Sequence, residues 1–138
     1  MDTYIGDNTV KRAMIIDDCE IDRFLAQKII ILCDFAGHIL TMNSAPEALK
    51  YLNNNLDEDK LPEIIFLDIS MPNMDGFAFL THYAQCHQRV KNHCKIVALT
   101  SSTHPRDLQA LQSDPYVIRY LAKPLTPENL MTIYQQIN

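Results

Sequence analysis

Carboxylates follow two apolar runs of the sequence, at the point where each run ends. Asp17 and Asp18 come directly after the run at residues 13–16, and Asp68 closes the run at residues 64–68. Carboxylates held close together repel one another unless a cation lies among them, and an all-oxygen site suits Mg²⁺. A carboxylate beside a metal ion can attack phosphorus as a nucleophile. The three acids therefore predict a Mg²⁺ site, with Mn²⁺ as the alternative ion, and aspartyl phosphate chemistry.

Two further apolar runs end in side chains that suit a phosphoryl group. The run at residues 95–99 is followed by Thr100, and the run at residues 117–122 is followed by Lys123. A hydroxyl donor and a positive point charge are the groups that hold phosphoryl oxygens. The chain has three glycines, and none has the spacing of a nucleotide-binding loop. A nucleotide is therefore not the expected phosphoryl donor.

The segments between these runs have the periodicity of helices. The first predicted helix buries one apolar stripe, made of Ile21, Phe24, Leu25, Ile29 and Leu32, and ends at Gly37 in a left-handed conformation. A short strand at residues 37–42 follows. Ser44 and Glu47 predict a capping box, and Asp75 predicts the cap of a third helix. Two more helices begin near Pro105 and Pro127.

Strands and helices alternate about five times along the chain, and the strands are continuous apolar runs. Such runs are typical of parallel strands that helices cover on both faces. We therefore predict a three-layer, doubly wound α/β domain with a five-stranded parallel sheet. The carboxyl ends of its strands would open onto one crevice, which is where such sheets bind ligands.

The composition narrows the class of protein. The chain has 138 residues, of which 47% are hydrophobic and 21% charged, as in an ordinary single globular domain. No apolar stretch approaches the ~18 residues of a membrane span, so we expect a cytoplasmic protein without membrane insertion. Four cysteines without C-x-x-C spacing predict free thiols. A net charge of −5 argues against direct binding of nucleic acid.

Five sequence elements in order resemble the receiver domain of two-component response regulators. They are the Asp17-Asp18 pair, Asp68, the following x-x-Met-Pro-x-Met-Asp-Gly, Thr100 and Lys123-Pro124. The resemblance runs from about residue 11 to residue 138. It implies the flavodoxin-like strand order 2-1-3-4-5 and a single receiver domain over residues 1–138. We expect residues 1–10 to be a polar N-terminal extension and no output domain to be attached, as in chemotaxis regulators.

The resemblance also implies a role for each acid. Asp68 would be the phospho-acceptor, and a sensor histidine kinase or a histidine phosphotransfer protein would donate the group from a phosphohistidine. Asp18 and Asp68 would bind Mg²⁺ directly, the backbone carbonyl of Ser70 would be a third ligand, and Asp17 would act through a water. The domain would catalyse its own phosphorylation and dephosphorylation and would turn over no external substrate.

The remaining elements would carry the signal. Lys123 would pair with a phosphoryl oxygen, and a cis peptide bond at Pro124 would aim its side chain. Thr100 would donate a hydrogen bond to the phosphoryl group, and Tyr120 would turn inward when Thr100 moves. This pair would form a two-state switch read by a downstream protein that the sequence does not identify.

Several alternatives compete with these interpretations. An aspartate-nucleophile phosphatase needs a second Asp two residues after the nucleophile, where this chain has Ser70. A degenerate receiver would bind a partner without phosphorylation. Tyr120 could simply pack under a helix. A zinc site is a further alternative for a set of four residues, Cys86, His87, His93 and Cys94, which are otherwise ordinary loop and core residues.

Overall fold

The computed structural model describes residues 10–137. Its strands are β1 (Val10–Ile16), β2 (Ala36–Met42), β3 (Ile64–Asp68), β4 (Lys95–Thr100) and β5 (Val117–Ala122). Its helices are α1 (Glu20–Leu32), α2 (Ala45–Asn54), α3 (Gly76–Tyr83), α4 (Gln88–His93), α5 (Pro105–Ser113) and α6 (Pro127–Ile137). None of these helices is long and apolar enough to span a bilayer.

The five strands form one parallel sheet in the order β2-β1-β3-β4-β5. The predicted doubly wound α/β fold and its strand order are confirmed. The chain winds outward in both directions from β1 and β3, which are neighbours in the sheet. The crevice of such a sheet lies at the carboxyl ends of these two strands, where the direction of winding changes.

The sheet has a separate hydrophobic core on each face. Successive side chains of β1 alternate between the faces, so that Met14 and Ile16 join one core while Ala13 and Ile15 join the other. The first core, which we call the α2–α5 core, packs under helices α2 to α5. The second, which we call the α1–α6 core, packs under α1 and α6. Both faces are therefore covered, as the apolar strand sequences predict.

The predicted helix caps are present. The Ser44 hydroxyl accepts a hydrogen bond from the Glu47 N–H at 3.2 Å, and the Glu47 carboxylate accepts one from the Asn43 N–H at 2.9 Å. Asp75 caps α3 by accepting from the Ala78 N–H at 2.9 Å. Each bond satisfies an N–H group that has no partner within its helix or turn. The caps fix where α2 and α3 begin.

The predicted buried stripe of α1 is wrong, although the helix itself is present. Four of the five predicted residues are between 49% and 69% exposed, namely Ile21, Phe24, Leu25 and Leu32. Ala26 and Ile30 are buried against the sheet in their place. Apolar residues cover more than one side of this helix, and the small side chain of Ala26 lets that side approach the strands closely. Periodicity alone could not choose between the two sides.

The segments that follow α1 and α3 also differ from the prediction. Gly37 lies inside β2, and in the segment between α1 and β2 a positive φ, of 53°, occurs at Asp34. Aspartate is one of the residue types that tolerate this conformation. The six-residue helix α4 was not predicted, because residues 88–93 carry a single buried apolar side chain, that of Val90. One apolar residue gives no helical period.

Candidate functional site

Asp17, Asp18 and Asp68 form one cluster at the carboxyl edge of the sheet. One carboxylate oxygen from each of the three residues lies within 4.8 Å of the other two. β1 pairs with β3, with Ile16 opposite Leu67, so the acids that end the two strands become neighbours. Asp17 and Asp68 are buried and Asp18 is exposed. The cluster therefore has a closed side within the fold and an open side toward solvent.

Backbone N–H groups orient two of these carboxylates. Asp17 accepts a hydrogen bond from the Cys19 N–H at 2.9 Å, and Asp68 accepts one from the Ser70 N–H at 3.2 Å. The N-cap of α1 is Cys19, which makes no side-chain capping bond. An acid just before a helix is a candidate for its cap, but Asp18 precedes the cap position and does not cap α1. Its carboxylate is not engaged at the helix start and can face the other acids.

Lys123 reaches the acid cluster from the end of β5. Its ammonium nitrogen lies 3.0 Å from the Asp17 carboxylate and 3.3 Å from that of Asp68. A third carboxylate, that of Asp22, is 2.9 Å away. The peptide bond between Lys123 and Pro124 is cis, the isomer that the family resemblance implies. The structure thus brings the predicted acids and the predicted lysine together.

Sequence reasoning did not identify Asp22 as part of this site. The residue lies in the first turn of α1, four positions after Asp18, and α1 begins at the edge of the sheet where the acids gather. That spacing places it one helical turn from the cluster. The Asp22 side chain is 42% exposed, whereas that of Asp17 is 5% exposed. Asp22 therefore forms the rim of the site.

The surroundings of Asp68 disfavour the ionised form of its carboxyl group. Burial, followed by repulsion from Asp17, raises the pKa of Asp68 to about 6, although Lys123 and the Ser70 N–H act in the opposite direction. Burial alone would lower the pKa of Lys123, but hydrogen bonds to Asp22 and Asp17 and the charge of Asp68 raise it above its ordinary value. The site therefore holds a fully charged lysine and an acid whose negative charge is incompletely compensated.

Thr100 and Tyr120 lie on the neighbouring strands β4 and β5. Thr100 is buried, and its hydroxyl oxygen accepts a hydrogen bond from the Ser102 N–H at 3.0 Å. The Ser102 hydroxyl donates in turn to Asp107 at 2.7 Å. Tyr120 pairs with Ala98 and packs, half-buried, against the α2–α5 core. Thr100 therefore ends the strand beside β3, and Tyr120 lies on the strand beyond it.

The donor set of the acid cluster suits a hard cation. Carboxylate oxygens are the ligands that Mg²⁺ and Mn²⁺ prefer. Within residues 10–137, these three acids are the one group of histidines, cysteines and acids close enough together to hold an ion. Cys86 and Cys94 are buried, and burial is the main factor that raises the pKa of Cys94 to about 12. Within the same described residues, Cys86, His87, His93 and Cys94 do not form such a group, so they fit the packing interpretation.

A parallel sheet of this order, with an acid cluster and a lysine at its carboxyl edge, defines a flavodoxin-like α/β domain. The chain belongs to the family of response regulator receiver domains, whose pattern it matches over residues 13–135. This match covers most of the part of the chain that the structure describes.

Individual proteins show the same relationship. The chain is 30% identical to the sensor histidine kinase CheAY of Helicobacter pylori over 122 residues, which are 88% of this chain and 14% of that protein. A crystal structure of a two-component response regulator from Cytophaga hutchinsonii is 30% identical, with a TM-score of 0.86, over 93% of this chain and 96% of that one.

A second solved structure gives a similar result. The response regulator receiver protein from Dyadobacter fermentans is 26% identical, with a TM-score of 0.82, over 91% of this chain and 96% of that one. Several curated relatives are much longer, since the chain spans only 14–21% of their length. The similarity to them is therefore a similarity to one of their domains.

Proposed function

We propose that Asp68 accepts a phosphoryl group from a phosphohistidine on a sensor histidine kinase or a histidine phosphotransfer protein. A carboxylate oxygen of Asp68 would attack phosphorus, the bond to the histidine nitrogen would break, and an acyl phosphate would form. The observation that carries this proposal is the position of Asp68, buried at the switch point with Lys123 at 3.3 Å. The negative charge of Asp68 is incompletely compensated, which favours the binding of a cation beside it.

The acid cluster would hold Mg²⁺, or Mn²⁺ in its place. Asp18 and Asp68 would bind the ion directly, Asp17 would act through a water, and the backbone carbonyl of Ser70 would complete the protein ligands. A bound ion supplies positive charge for the oxygens of the phosphoryl group in transfer. Lys123, whose ammonium nitrogen lies 3.3 Å from the Asp68 carboxylate, would supply a second positive charge. Support comes from the hard oxygen donors within 4.8 Å of one another.

We further propose that Thr100 and Tyr120 transmit the phosphorylated state. The Thr100 oxygen accepts a hydrogen bond from Ser102, so its own O–H remains able to donate to a phosphoryl oxygen. A shift of Thr100 toward that oxygen would leave space for Tyr120, which is half-buried beside the α2–α5 core. A downstream protein would read the altered surface around β5. We expect this reaction in the cytoplasm, without direct contact to nucleic acid.

The mass of the intact protein tests the phospho-acceptor directly. The protein is incubated with acetyl phosphate, with and without Mg²⁺, alongside Asp68→Ala. Asp57→Ala is the matched control, because it removes an exposed loop acid outside the cluster. We expect a gain of one phosphoryl group in the native chain and in the control, lost on treatment with hydroxylamine. Asp68→Ala and the metal-free sample should gain none.

Two results would contradict the proposal. An equal gain in Asp68→Ala would place the phosphoryl group on another residue. The absence of any gain in the folded native protein with Mg²⁺ would favour a binding module that works without phosphorylation.

A further inference from the structure

Lys123 shares its ammonium group among three carboxylates. An ammonium has three N–H donors, and the acceptors lie at 2.9 Å for Asp22, 3.0 Å for Asp17 and 3.3 Å for Asp68. The shortest contact is with Asp22, and the longest is with the proposed phospho-acceptor. The lysine that should serve the phosphoryl group is therefore held closest by an acid outside the predicted machinery.

Asp22 differs from the other two partners in its surroundings. Asp17 and Asp68 are buried, and each also accepts a hydrogen bond from a backbone N–H, at Cys19 and Ser70. The Asp22 carboxylate is 42% exposed, so water can solvate it when the lysine moves away. Partly exposed ion pairs contribute little net stability. The contact with Asp22 therefore matters less for folding than for the position and charge of Lys123.

We propose that Asp22 competes with the phosphoryl group for Lys123 and so weakens the phosphorylated state. The proposal rests on the function proposed above for Asp68. Two effects act in the same direction. Asp22 accepts a hydrogen bond that a phosphoryl oxygen would otherwise receive, and its negative charge lies close to the site of a phosphoryl dianion. Asp22 thus acts as a brake at the rim of the site.

The test measures the binding of beryllofluoride, a mimic of a phosphoryl group on a carboxylate. Affinity is determined by titration calorimetry at saturating Mg²⁺ for the native protein, Asp22→Asn and Glu20→Gln. Glu20 is an exposed acid in the same first turn of α1, so its substitution removes the same charge without touching Lys123. We expect Asp22→Asn to bind about fivefold more tightly, as for one charge-assisted contact, and Glu20→Gln to change affinity by less than about twofold.

The outcomes separate this inference from the proposed function. If native protein, shown to be folded, binds no beryllofluoride, the proposed phospho-acceptor chemistry fails. If the native protein binds and Asp22→Asn binds equally or more weakly, the competition is overturned while the phospho-acceptor stands. An equal gain in beryllofluoride affinity in Glu20→Gln would also overturn it, because the loss of any negative charge near the start of α1 would then explain the effect.

A second measurement needs neither metal nor phosphoryl mimic. Acylation of lysine amines by an N-hydroxysuccinimide ester at fixed pH, followed by peptide mass analysis, reports how firmly Lys123 is held. We expect Lys123 to react about two- to fivefold faster in Asp22→Asn, because the substitution removes one of the three negative charges that hold its ammonium group. Lys50, an exposed lysine on α2, should react at the same rate in both proteins. An unchanged rate at Lys123 would show that the contact with Asp22 does not restrain it.

Discussion

The backbone N–H of Lys123 donates a hydrogen bond to the carbonyl of Thr100 at 3.1 Å. This bond extends the pairing of β4 and β5 one step beyond Ala122, the last residue of β5. The positions at which two predicted site residues leave the sheet are therefore fixed to each other through the main chain. A change in either side chain leaves the atoms of this backbone link in place, because the bond joins main-chain groups only.

The first prediction concerns the stability of the metal-free protein. Asp68→Asn should stabilise it at pH 7.5 by about 2 kcal/mol, since the pKa of Asp68 is raised to about 6, by burial above all, from an ordinary 3.8. A raised acid pKa means that the folded state binds the proton more tightly than the unfolded state. Relative to Asp68→Asn, the native sequence should therefore gain stability as the pH falls through 6 toward 4, and the advantage of Asn should disappear.

Urea denaturation in the presence of a chelator, at pH 7.5 and 4.5, measures this difference. Asp57→Asn serves as the control, and its difference from the native protein should be the same at both pH values. If the advantage of Asp68→Asn persisted unchanged at pH 4.5, the ionised form of the Asp68 carboxyl group would not be the cause of the lower stability.

The second prediction concerns Gly76, the first residue of α3. A Cβ atom at this position would lie 2.7 Å from the Ile69 Cα and 3.1 Å from the Asp68 carbonyl oxygen. Backbone atoms cannot move aside without displacing the segment that follows Asp68. Gly76→Ala should therefore cost about 1–3 kcal/mol in the free energy of unfolding. Gly37→Ala, at an exposed position of β2, is the control and should cost less, as chemical denaturation will show.

The third prediction tests which side of α1 is buried. Ile30→Ala should cost about 2–5 kcal/mol, because it removes a fully buried side chain from the α1–α6 core. Phe24→Ala should stay within about 0.5 kcal/mol of the native protein, because Phe24 is 60% exposed. Urea denaturation of the two variants gives both values. A larger loss for Phe24→Ala than for Ile30→Ala would mean that the helix is rotated relative to this structure.

The fourth prediction concerns the thiols. Cys19 is exposed, whereas Cys33, Cys86 and Cys94 are buried, and burial is the main factor that raises the pKa of these three. Because the thiolate is the reactive form, one thiol of the four should react rapidly with an aromatic disulfide reagent at pH 8. Absorbance of the released thiolate counts the reacting groups. Cys19→Ser should abolish the rapid phase, and a rapid phase of two or more thiols would contradict the burial described here.

Most of the fold could be predicted because its signals are local and independent. Each strand is a continuous apolar run, and caps such as Ser44 and Asp75 mark where helices begin. The convergence of Asp17, Asp18 and Asp68 follows from one rule, that parallel strands end at the same edge of a sheet. Their chemical roles, with those of Lys123 and Thr100, stay predictions.

The details that sequence reasoning missed depend on packing between elements. Apolar residues on both sides of α1 leave its orientation open until Ala26 meets the sheet. Asp22 becomes a partner of Lys123 only because the end of β5, 101 positions later in the chain, passes over the start of α1. A contact between residues so far apart in the sequence cannot be predicted from a local sequence pattern.

The two separate cores have a consequence for how this sequence can change. Among residues 10–137, the α2–α5 core and the α1–α6 core form two separate clusters of buried side chains on opposite faces of the sheet. Free-energy changes from substitutions at distant, independent sites add, whereas those of neighbouring residues do not. Each core thus packs separately, and a substitution within one core should need no compensating substitution within the other.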